Sequence, residues 1–190
     1  MTTADWLNFF KDYSDIKIFH INHLKLFSSL KEHALRMSLT RLTSKKIIQR
    51  ICRGFYANPF NLPGLEEIAA AIYQPSYISL ESALSVYGIL SQLPMVLTCV
   101  TTQLPQTFKT SFGTIAYHQI KRNLFWGFVE KSGYFIAEPE KALLDYIYFN
   151  SGQDLKAKPE SLAMDVINLK TMKVYSKKMN VPWGRHRLKF

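Results

Sequence analysis

Leu30-Lys-Glu-His-Ala-Leu-Arg-Met-Ser-Leu-Thr-Arg-Leu-Thr-Ser-Lys-Lys46 runs directly into Ile47-Ile-Gln-Arg-Ile-Cys-Arg-Gly-Phe-Tyr56, and the period of the sequence changes at that junction. In the first segment Leu35, Leu39 and Leu42 stand at i, i+4 and i+7, the spacing of one buried stripe on a helix. Arg36, Thr40, Arg41 and Lys45 lie mostly off that stripe. The second segment is rich in β-branched and aromatic residues and is punctuated by Gly54, which predicts two short strands joined by a tight turn.

The residues upstream extend this pattern. Residues 3–13 read as a helix with Trp6, Leu7, Phe9 and Phe10 on its apolar side. Ile18-Phe19 is a short extended stretch. In His20–Phe27, Ile21, Leu24 and Phe27 recur about once per helical turn, and Ser28-Ser29 reads as a break and cap. Three helices and a hairpin in this order are the layout of a winged helix-turn-helix, whose second helix of the pair enters the major groove with the hairpin beside the backbone. On that layout Arg36, Ser38, Thr40 and Arg41 approach base edges or phosphates. Lys45, Lys46, Arg50 and Arg53 neutralise phosphates. A charged helix face is also commonly just a solvated one, and small tri-helical domains also dock proteins, so a protein-interaction module is the competing reading.

The charge distribution bears on that choice. The chain has 190 residues with 24 Lys+Arg against 14 Asp+Glu, a formal charge of +10. Residues 1–60 hold 10 basic and 4 acidic side chains, a balance of +6. Residues 61–150 hold 5 and 7, a balance of −2, and residues 151–190 hold 9 and 3, again +6. Basic ends around a slightly acidic middle make the ends candidate contact surfaces for a polyanion. Two cysteines, Cys52 and Cys99, exclude a disulfide scaffold and a four-cysteine zinc site, and fit a reducing, cytoplasmic setting. The start of the chain lacks the basic and apolar regions of a signal peptide, and no apolar run is long enough to span a membrane.

Asn58–Gly64, with Pro59, Pro63 and Gly64, reads as a linker. Beyond it, Leu65–Tyr73 is a short helix led by acidic residues, and Gln74–Ile78 is extended. Ser79 caps a helix closed by Gly88, and Pro94–Thr101 is a strand. Residues 106–111 and 113–118 form a hairpin about Gly113, and 125–129 and 133–136 are two more strands. A helix opened by Pro139 then runs to Tyr148. Pro159–Met179 predicts one or two basic helices with Leu162, Val166, Leu169, Met172 and Val174 on an imperfect apolar face. For this tail, docking against the body ranks ahead of phosphate contacts, and those ahead of an anionic membrane. The end, Trp183–Phe190, is expected to be ordered only if docked.

No constellation of residues calls for catalysis. Glu138, Glu140, Lys141 and Asp145 form the most polar knot of the body, but Glu140 and Asp145 are five apart and face each other poorly, so helix capping is the expected use of these carboxylates. His20, His23 and Cys52 match no zinc-ligand spacing, and Ser82, Ser85 and Ser91 sit in no nucleophile elbow. Tyr73, Tyr77, Tyr87, Phe125, Trp126 and Phe128 read as core or partner-face aromatics.

Four segments together carry a family resemblance. They are Leu39-Thr-Arg-Leu42 leading into Ile47–Tyr56; Tyr77-Ile-Ser-Leu-Glu-Ser-Ala-Leu-Ser-Val-Tyr-Gly-Ile89; Val96–Thr102 followed by Phe112-Gly-Thr-Ile-Ala-Tyr117; and Ala137-Glu-Pro-Glu-Lys-Ala-Leu-Leu-Asp145. In this order the chain resembles the AbiEi family of antitoxins, the regulator halves of type IV toxin–antitoxin pairs. The resemblance implies a winged-helix domain that represses its own operon and a body that counteracts a nucleotidyltransferase-like toxin, not necessarily through a stable complex. Carried over by position, Arg36–Arg41 would read DNA, with Lys45, Arg50 and Arg53 near the backbone. Two departures stand out: Lys46 occupies a place where family members often have Gly before the wing, and the helical tail is short.

The expectation is therefore an α+β chain. It comprises a winged helix-turn-helix at 1–58, an antitoxin-like α+β domain with a small mixed or antiparallel sheet at 59–150, and a basic helical extension at 151–190. Its partners would be double-stranded operator DNA and, functionally, a toxin. It would be a monomer or homodimer, with no cofactor, no metal, no membrane and no enzymatic activity. A standalone transcriptional regulator is the variant without antitoxin activity.

Overall fold

The computed structural model describes residues 1–150 and 164–181. Among these the chain is mixed α+β, with seven α-helices and two sheets. It divides into two compact units. The first is Met1–Ile72 with Phe108–Gly113, and the second is Tyr73–Thr107 with the chain from Thr114 onward.

In the first unit, α1 (Thr3–Asp12) starts at a capping box. Thr2 Oγ1 accepts from the Asp5 N–H at 3.3 Å, and Asp5 Oδ2 accepts from the Thr2 N–H at 2.6 Å. β1 (Ile18–His20) leads into α2 (Ile21–Ser28), which ends with Ser29 in the left-handed region while Ser28 Oγ accepts from the Leu30 N–H. α3 (Glu32–Ser44) buries the expected stripe: Leu35, Leu39 and Leu42 are at most 3 % exposed. With Trp6, Phe10, Phe19, Leu24, Ile48 and Tyr56 they form the core, each buried leucine contributing roughly 1.5–3 kcal/mol.

The junction after α3 is a Schellman end. The Ile47 N–H donates to the Leu42 carbonyl and the Lys46 N–H to the Thr43 carbonyl, both at 2.9 Å, with Lys46 at φ +56°. The hairpin follows as β2 (Gln49–Cys52) and β3 (Phe55–Ala57), with a bulge between Arg50 and Cys52. Gly54 turns it at φ +86°, and a Cβ there would stand 3.2 Å from His20 Nε2. The sheet order is β1-β3-β2, all antiparallel.

The stretch read as a linker is packed. Asn58 is fully buried, and its Nδ2 donates to the carbonyls of Phe10, Tyr13 and Ile16 at 2.9–3.0 Å. Its Oδ1 accepts from the Phe60 N–H. α4 (Leu65–Ile72) is held by Glu67, which accepts from the Gly64 N–H at 2.8 Å and from Lys17 Nζ at 2.7 Å. These bonds carry the first unit past residue 58, to Ile72.

The second unit contains β4 (Ser76–Ile78), α5 (Leu80–Val86), β5 (Val96–Thr101), β6 (Gln106–Lys109), β7 (Thr114–Gln119), β8 (Phe128–Lys131), β9 (Tyr134–Ala137), α6 (Pro139–Asn150) and α7 (Leu169–Met179). The tip of the β6–β7 hairpin is the segment that groups with the first unit. The sheet order is β6-β7-β5-β4-β9-β8. Antiparallel β4–β5 and β8–β9 pairs alternate with parallel β5–β7 and β4–β9 pairs, so the sheet is mixed.

Pro139 opens α6 as the sequence predicts, but α6 is buried from Glu140 to Ile147 and packs against both α5 and α7. α7 docks through Met172 and Met179, with Ile167 and Val181 beside them, while Val166, Leu169 and Val174 are 47–62 % exposed. The expected apolar face is thus corrected. A 3-10 turn at Met164–Val166 and a fresh N-cap at Asn168 put Val166 and the residues of α7 in different registers, so among the described residues only Met172 of that face is buried. Pro159, Leu162 and Trp183–Phe190 lie outside the described residues. Among the described residues no helix is long and apolar enough to cross a membrane.

Candidate functional site

Two polar constellations merit comparison. The first surrounds α3 and the β2–β3 hairpin. Its eight sequence-predicted residues are solvent-exposed apart from Ser38, which is half-buried. The structure divides them by what their side chains already do. Arg36 is engaged: its Nη2 and Nε donate to Glu32 Oε1 at 2.8 and 3.2 Å. This pair, with Lys25, holds the Glu32 carboxyl below its usual range. Thr40 Oγ1 donates to the Arg36 carbonyl, and Arg50 Nε donates to the Cys52 carbonyl. Ser38, Arg41, Lys45, Lys46 and Arg53 make no side-chain hydrogen bond or ion pair among the described residues.

Helical geometry separates them further. Arg36 and Arg41 lie about 140° apart around the axis, at 3.6 residues per turn, so they do not share one face. Ser38, Arg41 and Lys45 stand at i, i+3 and i+7 and do share one. The structure brings these three together with Thr2, Thr3 and Trp6 around a surface pocket of about 200 Å³. The contribution of α1 to this surface has no signal in the α3 sequence, because it depends on how the two helices pack.

The second constellation lies inside the second unit. Lys141 and Asp145, one turn apart on α6, form an ion pair with both side chains fully buried. Lys141 Nζ donates to Tyr77 Oη at 2.9 Å, Tyr77 Oη donates to Asp145 Oδ2 at 3.0 Å, and Ser79 Oγ donates to the same oxygen at 2.8 Å. Nζ also lies 5.3 Å from the Tyr77 ring centroid and 5.4 Å from that of Trp126. Gly127 makes room for this arrangement, since a Cβ there would meet the Lys141 stem at 3.1–3.3 Å.

Burial pushes the Asp145 carboxyl up and the Lys141 ammonium down, each opposed by its partner. Burial, reinforced by the neighbouring Asp145, pushes the Tyr77 phenol up. Every polar group in the cluster therefore faces another, and the arrangement holds β4, α5 and α6 together. The sequence reading paired Glu140 with Asp145 and missed Lys141 with Asp145, although the i, i+4 spacing was there to be read.

Three capping expectations are corrected here. Ser79 precedes α5 but makes no cap bond, because its hydroxyl serves Asp145. Glu140 Oε1 accepts from the Asn168 N–H at 2.6 Å, and Glu138 Oε2 accepts from Tyr175 Oη at 2.5 Å, so both carboxylates anchor the α7 region instead of capping α6. The bond to Glu138 pushes the Tyr175 phenol up to about 12. Lys178 Nζ completes that contact 3.9 Å from the Trp126 ring centroid.

Among the described residues the histidines and cysteines form no comparable centre. His20 Nδ1 accepts from the Asn22 N–H, and the His20 and His23 rings lie 6.2 Å apart. Among the described residues no group of three or more His, Cys, Asp or Glu side chains is placed to hold a metal ion. No protein-family model matches the chain, and no curated protein matches it.

Proposed function

We propose that the first unit is a winged helix-turn-helix that binds double-stranded operator DNA, and that the chain is an antitoxin-like repressor of its own operon. One observation carries the DNA-binding half: α3 buries its leucines, and Arg41, Lys45 and, in the hairpin turn, Arg53 are exposed and without an acidic partner among the described residues. The antitoxin half is supported by the resemblance. Two of its segments, Tyr77–Ile89 and Ala137–Asp145, supply all four members of the buried cluster, so they act as one structural unit. The counteracted partner would be a nucleotidyltransferase-like toxin.

A fluorescence-anisotropy titration on the upstream duplex, run over a salt series, tests the first half. Arg41→Ala should reduce the preference for the operator over a scrambled duplex, and more than Arg36→Ala does, because Arg36 is held by Glu32. Arg53→Ala should weaken all duplexes alike and lower the salt slope by about 0.9. Absence of binding at low salt overturns the reading. Co-expression with the product of the adjacent gene tests the antitoxin half, with relief of growth arrest as the expected result.

The exposed Leu93 and Met95, 88 % and 98 % accessible, favour one alternative, a protein-interaction module. Stable co-purification with the adjacent gene's product, together with no DNA binding, would select it. Operator binding without relief of growth arrest would select a standalone regulator.

A further inference from the structure

We propose that the pocket between the start of α1 and one side of α3 is an anion site that takes a single phosphate group. Thr2, Thr3, Trp6, Ser38, Arg41 and Lys45 line it together with the apolar Met1 and Leu42, and no carboxylate does. The nearest carboxylate in sequence, Asp5, is already engaged by the Thr2 N–H in the capping box. Ser38, Arg41 and Lys45 occupy successive positions of one ridge of α3, and their side chains make no bond among the described residues. They offer a hydroxyl, a guanidinium and an ammonium in one concavity, the donor set that recognises phosphate oxygens.

Size decides the class of ligand. At about 200 Å³ the pocket is smaller than the roughly 300–1,000 Å³ of sites that enclose drug-sized molecules. A single tetrahedral oxyanion fits this space, which is too small to enclose a whole nucleotide. The phosphate can come from the DNA backbone or from free phosphate. If from the backbone, the proposal rests on the duplex-binding reading and replaces base reading by Arg41 with a phosphate contact, so that Arg41→Ala would then weaken all duplexes alike. The free-phosphate arm of the test does not depend on that reading.

Two arms on the full-length protein separate these sources. In the first, inorganic phosphate is titrated by calorimetry at constant ionic strength. Saturable binding is expected, weakened about tenfold or more by Ser38→Ala or Arg41→Gln and unchanged by Lys11→Gln, which removes an exposed charge at the far end of α1. In the second, duplexes carrying single neutral methylphosphonates are scanned. One position should weaken wild-type binding and lose that effect in Ser38→Ala.

A positive first arm alone assigns the site to free phosphate, and a positive second arm alone assigns it to the backbone. Phosphate binding that is absent or indifferent to both variants, with no methylphosphonate position coupled to Ser38, overturns the proposal. If wild-type protein binds no duplex, the DNA reading fails and the phosphate arm still decides the pocket. Circular dichroism of each variant confirms that it is folded.

Discussion

The two units use polar chemistry in opposite directions. In the first, α3 turns its cations outward and fills its core with leucine and aromatic side chains, and the fully buried polar residue is the neutral Asn58. In the second, α6 takes a lysine and an aspartate into its interior and satisfies both with Tyr77 and Ser79. The formal charges of Arg41 and Lys141 are equal, yet one is available to a partner and the other is committed to the fold. Charge counted along a sequence locates a contact surface only after the buried members are subtracted. Lys141 and Asp145 cancel within the middle segment, whereas none of the charged side chains of the first sixty residues is buried, so their basic balance stands as a surface property.

The largest expected effect tests the inward side. Asp145→Ala leaves Lys141 buried without its counter-charge and should cost about 3–5 kcal/mol in denaturant unfolding. The double variant Lys141→Met with Asp145→Leu removes both charges together and should recover most of that loss. A cost below about 1 kcal/mol for the single variant would mean that the cluster is not dry, and the contrast between the units would collapse.

A smaller effect sharpens the outward side. Asn58→Ala removes the donor shared by the Phe10, Tyr13 and Ile16 carbonyls and should cost about 1–3 kcal/mol. This is less than the Asp145 change because no net charge is stranded. Equal losses in the two variants would show that burial of a polar group, and not its ionisation, governs the cost.

The smallest effect lies at the end of α3. Lys46 holds φ +56°, a conformation that costs a side-chain-bearing residue about 1–2 kcal/mol and glycine little. Glycine's greater freedom in the unfolded chain returns part of this. Lys46→Gly should therefore raise stability by up to about 1 kcal/mol in the same unfolding assay, while lowering the salt slope of duplex binding if Lys46 contacts phosphate. Lower stability would mean that the lysine side chain supports the helix end by a contact of its own.

The reasons for what the sequence revealed are local. The α3 stripe, the Gly54 hairpin and the Pro139 helix start each depend on a few neighbouring residues whose spacing or backbone freedom leaves one solution. Beyond its start, α6 has no such signature. It is buried on nearly every side, so its hydrophobic pattern does not indicate which way Lys141 points, and Tyr77 and Ser79 lie more than sixty positions away in the chain. The pocket beside Arg41 was hidden for a related reason. Three of its lining residues form a ridge that can be read from α3, but Thr2, Thr3 and Trp6 reach it only through tertiary packing. The departure at Lys46 was visible as an unexpected residue, and the structure gives it a physical meaning as a helix terminator in a glycine-favouring conformation.

Ser111 has a consequence for solubility. Its N–H donates to the Ile51 carbonyl at 3.2 Å and its Oγ donates to the Arg50 carbonyl at 2.9 Å, both on β2, an outer strand of its sheet. An outer strand with bare carbonyls is a template on which another chain can add itself, one copy after the next. Ser111 occupies two of those carbonyls, which makes this tip a guard against self-association as much as a connection between two strands.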